Sequence, residues 1–506
     1  MGVCCACATA SYRRFDLGQN ANPGRCAEWH PLIGHLPMKL IKTNPDMLPL
    51  EVDLDLIRRM DRNGPRYTSY PTADRFVEAF GAETYKSWVA RRNIGGIWRA
   101  LSIYVHLPFC STICFYCACN KVVTRDRGKG DRYLDYLFRE IDLQGPLFGD
   151  DRVVEQMHWG GGTPTFFTMA QLESLWQRLK RHFRMAADGE YSIEVDPRSV
   201  DAAGMHALRA MGFGRVSLGV QDFDPEVQRA VNRVQSEAQT LEVMQAARAA
   251  GFSSINVDLI YGLPKQNAVS FDRTLDRVIE ASPDRIAIYN YAHLPTRFKP
   301  QRRIAEADLP QPEDKLGLMG LAARRLGEAG YVYIGMDHFA KPDDALAVAQ
   351  RNGLLHRNFQ GYSTHADCDL VGLGVSAIGA IGPTYSQNHR ELASYYDSLD
   401  RGVLPVARGL ELSADDLLRR AVIQALSCQF RLSKKSIEIA YLIDFDRYFS
   451  EEMADLRGMV ADGLVQLDAE WITVTPRGRM LVRNICMVFD KYLRRERETT
   501  RYSRVI

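Results

Sequence analysis

Short apolar runs alternate with amphipathic stretches through the middle of the 506-residue chain. Six apolar runs have the length of strands, and four segments between them repeat apolar residues at helical spacing. The predicted strands are Leu101–His106, Glu155–Gly160, Tyr191–Val195, Arg215–Val220, Ile255–Ile260 and Arg285–Asn290. The predicted helices are Asp131–Gln144, Met169–Phe183, Glu237–Ala250 and Phe271–Ala281. This alternation predicts βα units that form a parallel sheet.

Four cysteines follow the first predicted strand, in the segment YVHLPFCSTICFYCACN. Cys110, Cys114 and Cys117 form a C-x3-C-x2-C pattern, and Cys119 follows two residues later. Pro108 predicts the end of the strand, so the cysteines are expected on a loop that brings three thiolates together. Thiolates bind zinc or an iron–sulfur cluster. Because a closed zinc site usually takes two separated cysteine pairs, the single group favours a cluster.

Polar or glycine-rich segments also follow the later predicted strands. The second strand is followed by three glycines and Thr163, where a ligand can approach the backbone closely. No Gly-Lys-Ser/Thr follows, which argues against a phosphate-binding loop. Near the ends of these strands, in chain order, are Glu194, Gln221 with Asp222, Asp258 and Ala292. In barrels of parallel strands this end carries the chemistry, although Glu194 alone is equally typical of a surface acid.

The cysteine pattern after the first strand resembles the radical S-adenosylmethionine (SAM) superfamily. Tyr116 before the third cysteine, together with Cys119, resembles a narrower group, the oxygen-independent coproporphyrinogen III oxidases of haem biosynthesis. This resemblance extends from about Met47 to the C-terminus. The arm GPRYTSYPT at residues 64–72 and the segment RNFQG at residues 357–361 strengthen it, because related haem chaperones usually differ at both.

The resemblance implies an α/β fold with a partial (βα)6 TIM-like barrel, a 4Fe–4S cluster and two SAM molecules. The implied cluster ligands are Cys110, Cys114 and Cys117, which leave one iron open. The implied contacts of the first SAM are Tyr104, Gly161, Glu194 and Ile378. The implied contacts of the second SAM are Tyr116, Gly162, Thr163, Gln221, Arg233, Asp258 and Ala292. For Arg233 the alternative interpretation is a surface helix arginine.

Tyr104 and Cys119 are the candidate catalytic residues. Cys119 is not expected to bind the cluster, and simple loop packing is the alternative for it. The implied reaction is oxidative decarboxylation of two propionates of coproporphyrinogen III to vinyl groups, giving protoporphyrinogen IX, with SAM-derived 5′-deoxyadenosyl radicals and an unidentified electron donor. The four substrate carboxylates need cationic partners. The candidates are Arg66, Lys121, Arg297, Lys299 and Arg357.

Three other functions stay open at this point. The first is a haem-binding chaperone on the same barrel. The second is another radical SAM enzyme, such as a methyltransferase. The third is a zinc-stabilised barrel enzyme.

Both ends of the chain differ from the predicted barrel at residues 101–387. Residues 1–46 contain four cysteines without periodicity, and we predict a disordered or misassigned extension there, with a second metal site as the alternative. Residues 47–100 are predicted to form the arm, which is expected to help close the active site. Residues 388–506 are predicted to form a helical domain.

The predicted C-terminal domain resembles a winged helix. Two helical stretches, Leu417–Phe430 and Phe449–Asp462, precede a hairpin of Leu464–Leu467 with Ile472–Val474. The region is not distinctly basic, so we interpret it as a lid over the barrel rather than a DNA-binding module.

Composition and charge limit the partners and the cellular compartment that we expect for the protein. Lys and Arg number 64 against 62 Asp and Glu, a balance that argues against nucleic acid or an anionic membrane as a partner. No apolar run has transmembrane length, and Val371–Gly382, the most apolar stretch, is predicted to be a packed, glycine-rich loop. Eleven cysteines without a signal peptide indicate a reducing cytoplasm. No pattern argues for an interface, so a monomer is expected.

Overall fold

The computed structural model describes residues 50–92, 99–149 and 152–495. The predicted extension at residues 1–46, with its four cysteines, lies outside the described residues. The strands are β1 Leu101–Leu107, β2 Phe109–Cys110, β3 Val122–Val123, β4 Val153–Gly161, β5 Arg184–Val195, β6 Arg215–Gln221, β7 Ser254–Tyr261, β8 Arg285–Asn290, β9 Val332–Gly335, β10 His338–Ala340, β11 His356–Asn358, β12 Gly361–Ser363, β13 Asp369–Leu373, β14 Ile378–Ile381, β15 Thr384–Asn388, β16 Val406–Glu411, β17 Arg431–Ser433, β18 Val465–Leu467 and β19 Trp471–Val474.

The α-helices connect these strands and form the C-terminal region. They are α1 Leu54–Met60, α2 Ala82–Arg91, α3 Arg127–Gln144, α4 Met169–His182, α5 Ala202–Met211, α6 Pro225–Ala230, α7 Glu237–Ala250, α8 Ala268–Ala281, α9 Pro312–Glu328, α10 Ala345–Arg351, α11 Leu392–Asp400, α12 Ala414–Gln429, α13 Lys434–Tyr441, α14 Phe445–Tyr448, α15 Ser450–Ala461, α16 Val482–Val488 and α17 Lys491–Arg495. No helix in the described ranges is both long and apolar enough to cross a membrane.

The predicted parallel sheet is confirmed. Strands β1, β4, β5, β6, β7 and β8 lie side by side in chain order and pair in parallel. On the other edge of β1 the sheet continues through β13, which is parallel to β1, to β14, β15 and β16. The hairpin of β9 and β10 extends the β8 edge, so the sheet has twelve strands.

Alternation along the inner strands creates a polar barrel interior. In β5, Ile193 and Val195 are buried against the helices while Glu194 between them stays partly accessible. In β7, Val257 and Leu259 are buried on either side of Asp258. Successive side chains of a strand point to opposite faces, so one face packs against the helices and the other lines the interior.

The segment Val371–Gly382 is not the packed loop that the sequence predicted. It contains most of β13 and all of β14. A Cβ at Gly372 would lie 2.8 Å from the backbone of Ile378, and a Cβ at Gly379 would lie 2.9 Å from the Leu370 carbonyl oxygen. The glycines therefore let two strands approach each other closely. In the sequence alone, the same glycines look like those of a loop.

The predicted C-terminal helices and hairpin are present. Helices α12 and α15 cover the two predicted helical stretches, and β18 pairs with β19. A third strand, β17, pairs with β19 and completes the wing, which the short run Arg431–Ser433 did not reveal in the sequence. The boundary predicted at residue 387 falls within β15, and the barrel sheet extends to Glu411 because β16 pairs with β15.

The N-terminal arm packs against the C-terminal region. Tyr67 and Tyr70 are both buried, and the Tyr67 hydroxyl donates a hydrogen bond to Asp490 Oδ2 at 3.1 Å. Arg483 of α16 donates to the carbonyl oxygens of Gly64 and Pro65, at 2.6 and 3.2 Å. These bonds satisfy arm carbonyls that have no strand partner.

Candidate active site

The cysteine loop is held by a short second strand pair. Pro108 separates β1 from β2, and the β2 residues Phe109 and Cys110 pair in parallel with Val122 and Val123 of β3. The sequence predicted an open loop at Cys110, but this residue is instead the second of a two-residue strand. The chain folds back on itself after the cysteines, and this return supplies the strand partner.

Neighbouring elements fix the rest of the loop. The Phe115 N–H donates to the Val231 carbonyl oxygen at 2.9 Å, and the Asn232 side chain donates to the Ile113 carbonyl oxygen at 2.7 Å. Gln301 donates to the carbonyl oxygens of Tyr116 at 3.2 Å and Ala292 at 3.1 Å. The loop is thus held from both the β6 and β8 sides of the barrel.

Polar groups reach the thiols from the loops after other strands. The Thr163 hydroxyl donates to Cys110 Sγ at 3.5 Å, and Arg233 Nη1 lies 3.6 Å from Cys114 Sγ. Cys119 donates to Cys117, which holds the pKa of the Cys117 thiol below its ordinary value. Burial raises the pKa of Cys110 to about 11.

The donor set fits an iron–sulfur cluster. Cys110, Cys114 and Cys117 are free, partly accessible thiols. In the described part of the chain, no three Cys, His, Asp or Glu side chains converge as a single metal ion would require. The thiolates of a four-iron cluster bind separate irons, so they need not converge on one point.

The residues predicted for the first SAM lie on β14, β1, β4 and β5, and β13 intervenes between β14 and β1. Tyr104 pairs in register with Gly372, which lies directly against the backbone of Ile378. On the other side, the Gly161 N–H donates to Glu194 Oε2 at 3.1 Å. Gly161 has φ of 118°, and a Cβ there would lie 2.6 Å from the ring of His106, so glycine is required.

The residues predicted for the second SAM come from the cysteine loop, from β6 and β7, and from the segments after β4, α6 and β8. Gln221 and Arg233 meet over Gly219, where a Cβ would lie 2.8 Å from Gln221 Nε2 and 2.9 Å from Arg233 Nη2. Gly219 pairs in register with Asp258. The other residues of this group complete its contact with the cysteine loop. They are Gly162 and Thr163, which bond to the backbone of Leu107 and Phe109, and Tyr116 and Ala292, which Gln301 bridges.

Several inward-facing side chains escaped the sequence interpretation. His158 stacks on Tyr104 with ring centroids 6.0 Å apart, and its Nε2 lies 3.3 Å from Glu194 Oε1. Ser217 and Asn256 donate to the Asp258 carboxylate at 3.0 and 2.8 Å. Their polar positions within otherwise apolar strands were the available signal, because such positions mark the interior face of a barrel.

Asp196 is a further missed residue, and it pairs with an arginine predicted to bind cofactor. Its Oδ2 lies 3.2 Å from Arg233 Nη1 and 2.7 Å from Arg198 Nη2. Arg233 is buried, so it is not a surface helix arginine. A paired and buried guanidinium is held in one orientation, as recognition of a carboxylate requires.

The pKa values of the two interior carboxyl groups are shifted in opposite directions. Burial opposes ionisation of Glu194, but the hydrogen bonds from His158 and the Gly161 N–H outweigh it and lower its pKa. Burial and the neighbouring charge of Glu194 raise the pKa of Asp258 to about 6. At neutral pH the interior therefore carries negative charge beside the cysteine loop.

The cations predicted to hold the substrate separate into three groups. Arg297 and Lys299 are exposed on the surface after β8. Lys121 donates to the Cys117 carbonyl oxygen at 3.0 Å and so belongs to the cysteine loop. Arg357 is buried, and its Nε donates to the Arg66 carbonyl oxygen at 3.3 Å. The structure thus brings only Arg66 and Arg357 of this set together.

A cysteine loop after the first parallel strand, a glycine segment after the second and polar side chains inside the barrel define a radical SAM protein. The family model of the radical SAM superfamily matches residues 104–278, and that of the HemN C-terminal domain matches residues 412–481. The matched C-terminal span contains the wing and most of the helices around it.

The particular family follows from longer matches. The chain is 54% identical to the oxygen-independent coproporphyrinogen III oxidase of Pseudomonas aeruginosa, over 90% of this chain and 98% of that protein. It is 51% identical to the enzyme of the same name from Escherichia coli K12, over 90% and 99%. The solved structure of the E. coli coproporphyrinogen III oxidase, described as a radical SAM enzyme, aligns with a TM-score of 0.84 at 50% identity, over 88% of this chain and 100% of that one. The chain belongs to the oxygen-independent coproporphyrinogen III oxidase family.

Proposed function

We propose that this protein converts coproporphyrinogen III to protoporphyrinogen IX without oxygen, by oxidative decarboxylation of two propionates. The observation that supports this most is the barrel mouth itself. There the cysteine loop and the glycine segment meet on one side, where the Thr163 hydroxyl donates to Cys110. On the other side, Arg66 of the arm lies over the ring of Tyr289 in β8. Both features are those of the family to which the chain belongs.

Cys110, Cys114 and Cys117 would hold the 4Fe–4S cluster. Reductive cleavage of SAM at such a cluster supplies a radical that removes hydrogen from carbon. We propose the first SAM site at Tyr104, Gly161, Glu194 and Ile378. We propose the second at Tyr116, Gly162, Thr163, Gln221, Arg233, Asp258 and Ala292.

The chain's own residues orient and protect the reacting groups. Glu194 and Asp258 accept hydrogen bonds from hydroxyl or amino groups of SAM, and the paired Arg233 grips a carboxylate. Each propionate loses one hydrogen atom, one electron and carbon dioxide to leave a vinyl group. Tyr67 and Tyr70 of the arm are buried against the C-terminal region, and this closure keeps water from the site.

Tyr104 and Cys119 remain the candidate catalytic residues in this proposal. The Tyr104 hydroxyl lies 2.9 Å from His106 Nδ1, and His106 Nε2 lies 2.9 Å from the Asn120 carbonyl oxygen. This chain of contacts links the first strand to the end of the cysteine loop. Cys119 acts next to it through its hydrogen bond to Cys117.

We infer that the protein works in a reducing compartment, the cytoplasm, as a monomer with a separate electron donor. The seven cysteines within the described residues are all free thiols, which supports the compartment. The donor and the monomeric state rest on the sequence interpretation.

The test is anaerobic turnover of coproporphyrinogen III by reconstituted protein with SAM and a strong reductant. Product is oxidised and read as protoporphyrin fluorescence, and 5′-deoxyadenosine is counted in the same samples. We expect vinyl product in proportion to deoxyadenosine. SAM cleavage without vinyl product would instead favour a haem chaperone or another radical SAM activity.

A further inference from the structure

Three arginines from distant parts of the chain meet beside the barrel mouth. Arg66 comes from the arm, Arg357 from β11 and Arg483 from α16. Arg66 pairs with Asp337, whose Oδ2 lies 2.5 Å from Arg66 Nη1. Together with Asp337 they form what we call the arginine cluster. Asp61 lies nearby as well, because burial, Asp337 and Asp61 raise the pKa of the Tyr261 hydroxyl while Arg66 and Arg483 lower it. Three guanidinium groups thus accompany these two carboxylates.

Arg357 lacks a full set of hydrogen-bond partners. The residue is 4% exposed, and its guanidinium lies over the ring of Tyr362 with Cζ 4.7 Å from the centroid. Its Nε bonds to the arm, but its buried Nη1 has no hydrogen-bond partner within the described residues. A buried donor on a charged group costs free energy unless a partner arrives. The missing partner is therefore an acceptor.

The positive charge of the cluster lowers the pKa values of basic side chains in and beside it. Burial together with the positive charge of Arg66 and Arg357 lowers the pKa of Arg483 to about 10. Burial and Arg357 lower the pKa of His338 to about 4, so its ring is neutral at neutral pH. Asp337 opposes both shifts. The surplus of positive charge favours an anionic acceptor.

The cluster lies next to the proposed site, and part of the Arg66 side chain is accessible. Arg66 Cζ lies 5.9 Å from the centroid of the Tyr289 ring at the end of β8, and 34% of the Arg66 side chain is exposed. Burial and the charges of Asp258 and Asp337 raise the pKa of the Tyr289 hydroxyl, while Arg66 and Arg357 lower it, so this residue lies close to both the barrel interior and the cluster. Asp337 and Arg483 also line a small cavity together with Tyr261, Tyr333 and apolar side chains, so the cluster is not solidly packed.

We propose that the arginine cluster binds one carboxylate of a porphyrinogen, namely a propionate that the reaction does not remove. The inference rests on the proposed function for the identity of the ligand. Departure of carbon dioxide requires the carboxylate to give up its negative charge, and tight guanidinium pairing opposes that loss. A retained propionate, in contrast, gains a fixed anchor that orients the ring system towards the cysteine loop.

The test measures binding without turnover. Fluorescence titrations of the full chain use coproporphyrin III, which has four carboxylates, and protoporphyrin IX, which has two. We expect Arg357→Met to weaken both about tenfold or more, because a charged hydrogen-bonded pair is lost. Arg357→Lys should give an intermediate loss. Asp337→Asn should tighten binding, a gain that a misfolded protein cannot imitate.

Controls separate the cluster from general charge and from the chemistry. Arg401→Met removes an exposed helix arginine paired with Asp397 and should leave both affinities unchanged. The tetramethyl ester of coproporphyrin should bind wild type and Arg357→Met alike. Unchanged binding of the free acids by Arg357→Met and Asp337→Asn would overturn the inference while the proposed turnover stands.

Two further outcomes are decisive. If Arg357→Met weakens coproporphyrin III but not protoporphyrin IX, the cluster holds a reacting propionate, and the assignment to a retained one fails. If wild type binds both porphyrins through Arg357 yet forms no vinyl product under anaerobic conditions, the proposed function fails and the carboxylate site remains.

Discussion

Two groups of charged side chains face the same barrel mouth with opposite sign. Inside the barrel, Glu194 and Asp258 place negative charge beside the cysteine loop. Close to Tyr289, which senses both groups, the arginine cluster carries surplus positive charge. SAM brings a sulfonium and an amino group, whereas coproporphyrinogen III brings four carboxylates. Each end of the mouth thus matches the charge of the ligand we assign to it.

The two groups also differ in how they are built. Glu194 stands on β5 and Asp258 on β7, with β6 between them, and backbone N–H groups or inward side chains already donate hydrogen bonds to both. The arginine cluster joins the arm, β11 and α16, and within the described ranges Arg357 Nη1 has no hydrogen-bond partner. The fold thus already orients the two carboxylates, whereas the arginine cluster retains a donor for its ligand. Four predictions test this contrast, from the largest effect to the smallest.

Cys117→Ser should abolish cluster assembly and all turnover, because three thiolates are the minimum donor set of the proposed cluster. Iron and sulfide content after anaerobic reconstitution provide the measurement. Cys368→Ser is the matched control, since Cys368 is a partly accessible thiol outside the loop. Coproporphyrin binding at the arginine cluster should survive in both variants. Normal iron content in Cys117→Ser would remove this cysteine from the ligand set.

Glu194→Gln should weaken SAM binding about tenfold, because a charged acceptor becomes a neutral one. Equilibrium dialysis with labelled SAM measures this. Coproporphyrin affinity should not change, whereas Arg357→Met should show the reverse pattern. If each variant weakened both ligands equally, the two ends of the mouth would not be independent sites.

The affinity for SAM should rise severalfold from pH 5 to pH 7 and then level off. Asp258 has a pKa raised to about 6, so it is protonated at pH 5 and ionised at pH 7, and only the ionised form accepts two hydrogen bonds fully. Titration of SAM binding across this range provides the check. Asp258→Asn should flatten the profile, and a slope that persists in that variant would assign it to another group.

Tyr67→Phe should lower the free energy of unfolding by about 1 kcal/mol, because the buried Asp490 loses a hydrogen bond. Denaturant unfolding measures the change. Tyr448→Phe removes a hydroxyl that bonds to Asp415 on a residue that is 42% exposed, and should cost less. Porphyrin binding should weaken only slightly, since Arg66 stays attached through Asp337. An effect as large as that of Arg357→Met would mean that the arm itself forms the pocket.

Periodicity predicted the barrel well because its inner strands are local patterns. All six predicted strands and the four predicted helices are present, with ends that shift by a few residues. The segment Val371–Gly382 was misjudged because its glycines serve close strand pairing, which only the neighbouring strand reveals. His158 and Asp196 were missed because the sequence around a single polar residue does not show which distant residue its side chain contacts.

The sequence alone determined the cysteine spacing, the glycine segment and the alternation of strands and helices, and these are enough to define the radical SAM superfamily. Each depends on residues close together in the chain. Only the tertiary structure decided which charges share a site. It joined Arg66, Arg357 and Arg483 across more than 400 residues, and left Arg297 and Lys299 at the surface. Charge pairing depends on distance in space, which no local pattern encodes.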